Sequence, residues 1–191
     1  MATSGFLKLS ESQAAQLEAH WQLLNRWNQR LNLTRIDSLD EAIERHYGEA
    51  LFLASLLPPE SLAIADIGSG AGFPGFPIAI ARSDCQVTLI ESHQRKSVFL
   101  KEVSRGIPNL RVLAKRAEDV REDFDCALVR AVAWADIREA ALRMAPTAFV
   151  LAGSGEVESR EGQNKVVRKV SLPWGRSRFV VEVSRETSCS H

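Results

Sequence analysis

The residues of this chain best suited to chemistry lie in one short stretch, "DIGSGAGFPGFP", residues 66 to 77. Two cofactor patterns overlap in it. Gly70, Gly72 and Gly75 spell G-x-G-x-x-G, the dinucleotide fingerprint. Asp66, Gly68, Gly70 and Gly72 spell D-x-G-x-G-x-G, the pattern of a loop that holds S-adenosylmethionine. In either case glycine supplies positive φ and lets a ligand approach the backbone. The dinucleotide register needs its first glycine at the strand end, yet the apolar run "LAIADI" reaches Gly68, two residues before Gly70. An acid at Asp66 suits a ligand bearing ammonium and sulfonium groups better than a pyrophosphate. Glu91 ends the next apolar run about twenty residues on, where an acid accepts ribose hydroxyls, and it fits both cofactors. The residues favour S-adenosylmethionine. A third reading, in which the glycines only make a tight turn, asks for fewer glycines than are present.

Other candidates are fewer. His46 and His93 are the only histidines placed to act as acid or base, and neither has a recognisable partner; His46 in "ERHYG" reads as a packing or surface residue. Cys85, Cys126 and Cys189 are odd in number and far apart, which gives neither a metal spacing nor a disulfide framework. Cys126 sits in a strand pattern without the Pro-Cys or Thr-Cys setting of a cytosine-C5 nucleophile, and "VRAVAW" after the fourth apolar run is not the Pro-Pro-aromatic segment that holds an exocyclic amine. Methylation of a purine N7 asks for less. That lone pair carries no proton, so transfer needs in-line positioning and no general base.

The elements that must position these residues follow from hydropathy patterning. Apolar residues at Ala14, Leu17, Trp21, Leu24 and Trp27 mark an amphipathic helix, with Ser10 and Gln13 as a capping box. "RIDSLDEAIERHYGEALFLASLLPP" predicts one or two more helices, capped by Asp37 or Ser38 and stopped at Pro58-Pro59. Beyond residue 60, "LAIADIG", "QVTLIES", "LRVLA", "FDCALVR" and "TAFVLAG" read as strands separated by helical segments, which implies a parallel sheet with helices on both faces. "VVRKVSLPWGRSRFVVEVS" reads as a hairpin with a Pro-Trp-Gly turn at one sheet edge. The expected organisation is a helical extension over residues 1–60 and a catalytic domain over 61–191, packed as one unit.

Formal net charge is zero, but basic groups are unevenly placed. Residues 92–121 hold eight basic and three acidic groups, and residues 157–185 hold seven and three. Two basic segments can present one basic face to nucleic acid, or can be ordinary solvated faces. The N-terminus has no signal-peptide pattern and no apolar run is long enough to span a membrane, so a soluble, cytoplasmic protein is expected.

Taken in order, "RWNQRLNLTRID", "RH" at 45–46, "ADIGSGAGFPGFPIAIA", "TLIESHQRKSVFLKEV", "KRAEDV" and "FDCALVRAVA" resemble the bacterial 16S ribosomal RNA guanine-N7 methyltransferases, the glucose-inhibited division protein B family. The resemblance runs from about residue 10 to the end. It implies a class I S-adenosylmethionine-dependent methyltransferase fold, Rossmann-like, with S-adenosylmethionine as cofactor. The implied target is one guanine of 16S rRNA in the small ribosomal subunit, with no membrane and no second copy involved. Gly68 and Phe73 are expected to contact the cofactor, and Ala117 and Glu118 to hold its adenine end. Arg130 is expected beside cofactor or substrate as the catalytic arginine, with Asp66 its candidate ion-pair partner, and Arg116 and His46 as substrate contacts. Two departures stand out: Ala152-Gly153 replaces a Lys-Gly, and "HYGEA" replaces His-Ile-x-Asp-Ser. The remaining alternatives are a methyltransferase acting on another RNA or a small molecule, and a non-catalytic nucleotide-binding module.

Overall fold

In the computed structural model, residues 7–158, 164–174 and 177–185 are described. Helix α1 (Glu11–Leu31) begins with the expected reciprocal cap, Ser10 accepting from Gln13 N while the Gln13 side chain accepts from Ser10 N. It ends at Asn32, whose φ of 47° is left-handed, a conformation asparagine tolerates better than other non-glycine residues. Ser38, rather than Asp37, caps the next helical run. That run is α2 (Leu39–Ala42), a π-helical segment (Ile43–Gly48) and α3 (Glu49–Leu56) without a break.

Seven strands then form one sheet: β1 (Ala63–Ile67), β2 (Gln86–Ile90), β3 (Leu110–Leu113), β4 (Cys126–Arg130), β5 (Thr147–Gly153), β6 (Asn164–Ser171) and β7 (Arg178–Arg185). Between them lie α4 (Gly75–Ala81), α5 (Gln94–Val103), a 3₁₀ turn (Ala117–Asp119) and α6 (Trp134–Met144). The order is β3-β2-β1-β4-β5-β7-β6, with the first five strands parallel and β7 antiparallel to both β5 and β6. A dinucleotide-binding sheet runs 3-2-1-4-5-6. Here β7 is inserted before β6, which separates this fold from that one. The last two strands are the expected edge hairpin; Gly175 of its Pro-Trp-Gly turn lies outside the described residues.

Successive strand residues point to opposite faces, and each face has its own core. Ile64, Leu89, Leu128 and Phe149 pack with α1, α3, α4 and α5, whereas Ala65, Ile67, Val129 and Val150 pack with α6. Helices therefore cover both faces, as the strand runs require. Strand order reverses between β1 and β4, and the carboxyl ends of those strands form the crevice where doubly wound sheets bind ligands.

Candidate active site

The loop after β1 is fastened to the end of β2. Gly68 N and Ser69 N donate to the Ile90 carbonyl at 2.9 and 3.2 Å, and Gly72 N and Phe73 N donate to the Ser69 carbonyl at 2.7 and 3.1 Å. Gly68, Gly70 and Gly72 have φ of 71°, 56° and 90°, so all three use the left-handed region. Glu91 holds the crest: its Oε2 accepts from Gly70 N at 3.0 Å and its Oε1 from His93 N at 2.7 Å. Gly75 does a different job. A β-carbon there would stand 2.5 Å from Leu89 Cδ2 and 2.6 Å from Asp66 Oδ2, so this glycine lets α4 pack down on the strands. The two overlapping patterns thus divide the work, with residues 68, 70 and 72 shaping the loop and residue 75 seating the helix.

Asp66 does not face the crevice. It is fully buried, its Oδ2 accepts from Gly75 N at 3.1 Å, and it is absent from the wall of the cavity. Burial pushes its carboxyl up to about 7, against the hydrogen bonds from Ser69 and Gly75. Its place under the loop, bonded to the first amide of α4, makes it a fastening and corrects the expectation of direct contact with the cofactor's ammonium.

Nor does Asp66 pair with Arg130. The partner is Glu49, 1% exposed, whose Oε2 accepts from Arg130 Nε and Nη2, both at 3.2 Å. Arg178, opposite Gly153 in the β5–β7 ladder, donates from Nη2 to the same oxygen at 2.9 Å, and its Nε lies 2.7 Å from Oε1 at an angle unsuited to a hydrogen bond. One carboxylate therefore holds two guanidiniums. The π-helical segment supplies a further anchor: Glu49 N bonds to the His46 carbonyl, not to the Arg45 carbonyl that an α-helix would use, and the Arg45 carbonyl accepts from Arg130 Nη2 at 2.9 Å. Burial lowers the pKa of Arg130, Glu49 opposes it, and Arg178 and Arg45 act with burial.

His46 is buried, stacked 4.3 Å from Phe73 at 17°, with Nε2 2.8 Å from Thr34 Oγ1. Burial, then Arg130, Arg45, His20 and Arg178, pull its pKa down to about 3, so the ring is neutral. Thr34 is in turn clamped by Asn28, whose Oδ1 accepts from Thr34 N and whose Nδ2 donates to the Thr34 carbonyl, both at 2.9 Å. The spacing in "WNQRLNLT" is thus a brace for the turn beside His46.

An open cavity of about 970 Å³ occupies the crevice. Gly68, Gly70, Phe73, His46 and Arg130 line it, as do Arg35, Arg45, Lys96 and Arg178; the one carboxylate among its lining residues, Glu156, accepts from Gly153 N at 2.8 Å. Arg116, Ala117 and Glu118 are not brought into it. Arg116 is exposed at the start of the 3₁₀ turn, and the Ala117 and Glu118 carbonyls accept from Arg143 of α6. Glu49, His20 and Arg178 were not singled out from sequence. Glu49 lies inside the "HYGEA" segment already marked as unusual, whereas His20 and Arg178 carry no local signal.

A model of the GidB family, rRNA small subunit methyltransferase G, matches residues 13–185. A ribosomal RNA small subunit methyltransferase G of Nitrosococcus oceani is 41% identical over 131 residues, which cover 66% of this chain and 60% of that protein. The protein of the same name from Trichormus variabilis is 32% identical over 180 residues, covering 84% and 73%. Over the first of these relatives, the match spans about three fifths of its length. A SAM-dependent methyltransferase from Aquifex aeolicus superposes with a TM-score of 0.63 at 16% identity, over 81% of this chain and 97% of that one. The fold is therefore that of the class I methyltransferases, Rossmann-like, with an added N-terminal helical segment.

Proposed function

The chain belongs to the rRNA small subunit methyltransferase G family, and from that premise we propose that it transfers a methyl group from S-adenosylmethionine to N7 of a guanine in 16S rRNA. The observation that carries this reading is the glycine loop at the β1/β4 crevice, held open beside a wall of cations. At Gly70 a β-carbon would meet nothing nearer than the Gly68 carbonyl at 3.7 Å, so the crest faces free space where a ligand can approach the backbone. Backbone at Gly68, Ser69 and Gly70 would hold the cofactor, with Phe73 as an apolar contact and Glu91 fixing the loop. When bound, the cofactor supplies an electrophilic methyl on a sulfonium. The chain's own residues have no proton to remove from N7; they position the base and exclude water. Neutral His46 and Phe73 form an apolar platform on one side. Arg130 and Arg178, sharing a single carboxylate, leave one positive charge unbalanced there, and Arg35 and Lys96 add to it, whereas Arg45 is paired with Glu41 at 2.9 Å; the excess suits an RNA phosphate backbone.

Zero net charge confines this attraction to one surface, so assembled or partly assembled small subunits are expected to be better substrates than naked rRNA. Cytoplasmic action on the ribosome is part of the same reading; among the described residues no helix is long and apolar enough to cross a membrane. The test is nucleoside mapping by mass spectrometry of 16S rRNA from cells lacking and re-expressing this chain. One 7-methylguanosine that disappears and returns is the expected result. An unchanged methylation map would defeat the proposal.

A further inference from the structure

The N-terminal helix reaches the glycine loop through one buried side chain. His20, on α1, is 2% exposed; its Nε2 lies 3.0 Å from the Ala71 carbonyl and its Nδ1 2.6 Å from the Tyr47 hydroxyl. A carbonyl can only accept. The proton must therefore sit on Nε2; burial keeps the ring neutral, which leaves Nδ1 as a lone pair and makes Tyr47 the donor. Direction is thus forced along the relay, from Tyr47 O–H to Nδ1 and from Nε2–H to the Ala71 carbonyl. The ring also stacks 4.3 Å from Phe76 of α4 and meets Phe73 edge-on at 5.2 Å. A β-carbon on Gly72 would come within 3.3 Å of Nε2. His20 therefore meets the loop at Ala71 and Phe73 and leaves little room for a side chain at Gly72 between them. Ala71 and Phe73 line the cavity, and Tyr47 follows Arg45 and His46, which line it as well.

We propose that His20 is a positioning residue: the Tyr47–His20–Ala71 relay fixes the glycine loop against the helical extension, and cofactor affinity depends on it although His20 is not among the residues lining the cavity. The inference rests on the reading that this loop holds S-adenosylmethionine. Glycine-rich backbone loses more freedom on ordering than any other. A loop already ordered by His20 spares the cofactor that cost, and preorganisation of this kind appears as affinity.

The test is His20→Phe, which keeps the stack on Phe76 and removes both hydrogen bonds. In folded protein, calorimetric titration with S-adenosylmethionine should give a Kd raised about five- to ten-fold, with turnover at saturating cofactor within about two-fold of the parent. Tyr47→Phe removes only the outer donor and should raise Kd less. The double variant should be no worse than His20→Phe, because both act through one relay. An unchanged Kd in folded His20→Phe, or additive effects in the double variant, overturns the inference; if His20→Phe does not fold, an unchanged Kd in Tyr47→Phe does so. A parent protein that fails to bind S-adenosylmethionine would defeat the cofactor reading instead. The relay is then judged by hydrogen exchange at Gly72 and Phe73, where faster exchange in His20→Phe, or in Tyr47→Phe if the former does not fold, supports it and equal exchange overturns it.

Discussion

Glu49 neutralises only half of the positive charge it holds, and this decides what substitutions around it do. Removing the acid by Glu49→Gln leaves Arg130 and Arg178 facing each other at a buried site, and losing one partner of a buried pair costs about 3–5 kcal/mol. Arg130→Ala removes one of the two cations and leaves Glu49 with Arg178, so its loss of stability should be smaller. Urea unfolding of both variants tests this order, and equal losses would mean that Arg178 does not hold the carboxylate. Arg130→Ala should still reduce methyl transfer strongly, and Arg130→Lys should recover little, because an ammonium offers one nitrogen where the planar fork sets two, Nε and Nη2, on Glu49 while Nη2 also holds the Arg45 carbonyl. Arg130 could be placed at a strand's carboxyl end from sequence, but its partner could not. Glu49 is 81 residues away, on a helix whose approach to β4 is set by packing. Asp66 was the nearer choice along the sheet edge, and the amide of Gly75 had already claimed it.

At the scale of elements, the glycine loop and the helix after it should fail in different ways. Gly75→Ala places a β-carbon within 2.8 Å of three atoms of Leu89 and Asp66, so α4 must lift from the sheet. Overpacking of this kind costs about 1–3 kcal/mol and should appear as a lower melting temperature. Gly70→Val adds bulk toward the open cavity, where the protein itself offers no collision. Left-handed strain of about 1–2 kcal/mol applies there, but the main expected loss is cofactor binding, read by calorimetry on protein that remains folded. Normal affinity in Gly70→Val would mean that the crest of the loop does not meet the cofactor. Strands β1 to β5, the capping box on α1 and the edge hairpin were legible, because short continuous apolar runs, Ser-x-x-Gln and paired branched runs are local signals. The π-helical turn was not. Its apolar residues continue the pattern of the helices on either side, and six residues are too few for a change of pitch to register. That turn frees the Arg45 carbonyl and carries His46 and Tyr47, so the least legible element supplies much of the site.

At the scale of the whole molecule, three buried groups with shifted pKa values among the described residues, His20, His46 and Asp66, act on how stability responds to acid. His20 and His46 have pKa values lowered from 6.5 to about 4 and about 3, chiefly by burial. Unfolding lets each take up a proton below pH 6.5, so their contribution is complete above that pH and is lost as pH falls. Each removes up to about 1.4 kcal/mol per pH unit. Asp66 acts in the opposite sense. Its pKa is raised from 3.8 to about 7 by burial, so the folded chain holds a proton that the unfolded chain lacks between those values. That contribution is complete below pH 3.8 and is lost as pH rises through about 7. Two histidines against one aspartate leave one net proton taken up on unfolding. Stability should therefore fall by about 1.4 kcal/mol per pH unit between pH 6 and 4.5. Asp66→Asn removes the opposing group and should steepen the fall to about 2.7 kcal/mol per unit, from a starting stability already changed by the altered contact with Gly75. Unfolding free energies at several pH values measure both slopes. A parent protein whose stability stays level or rises on acidification to pH 4.5 would show that the two histidines on either side of Phe73 are not held neutral in the folded state.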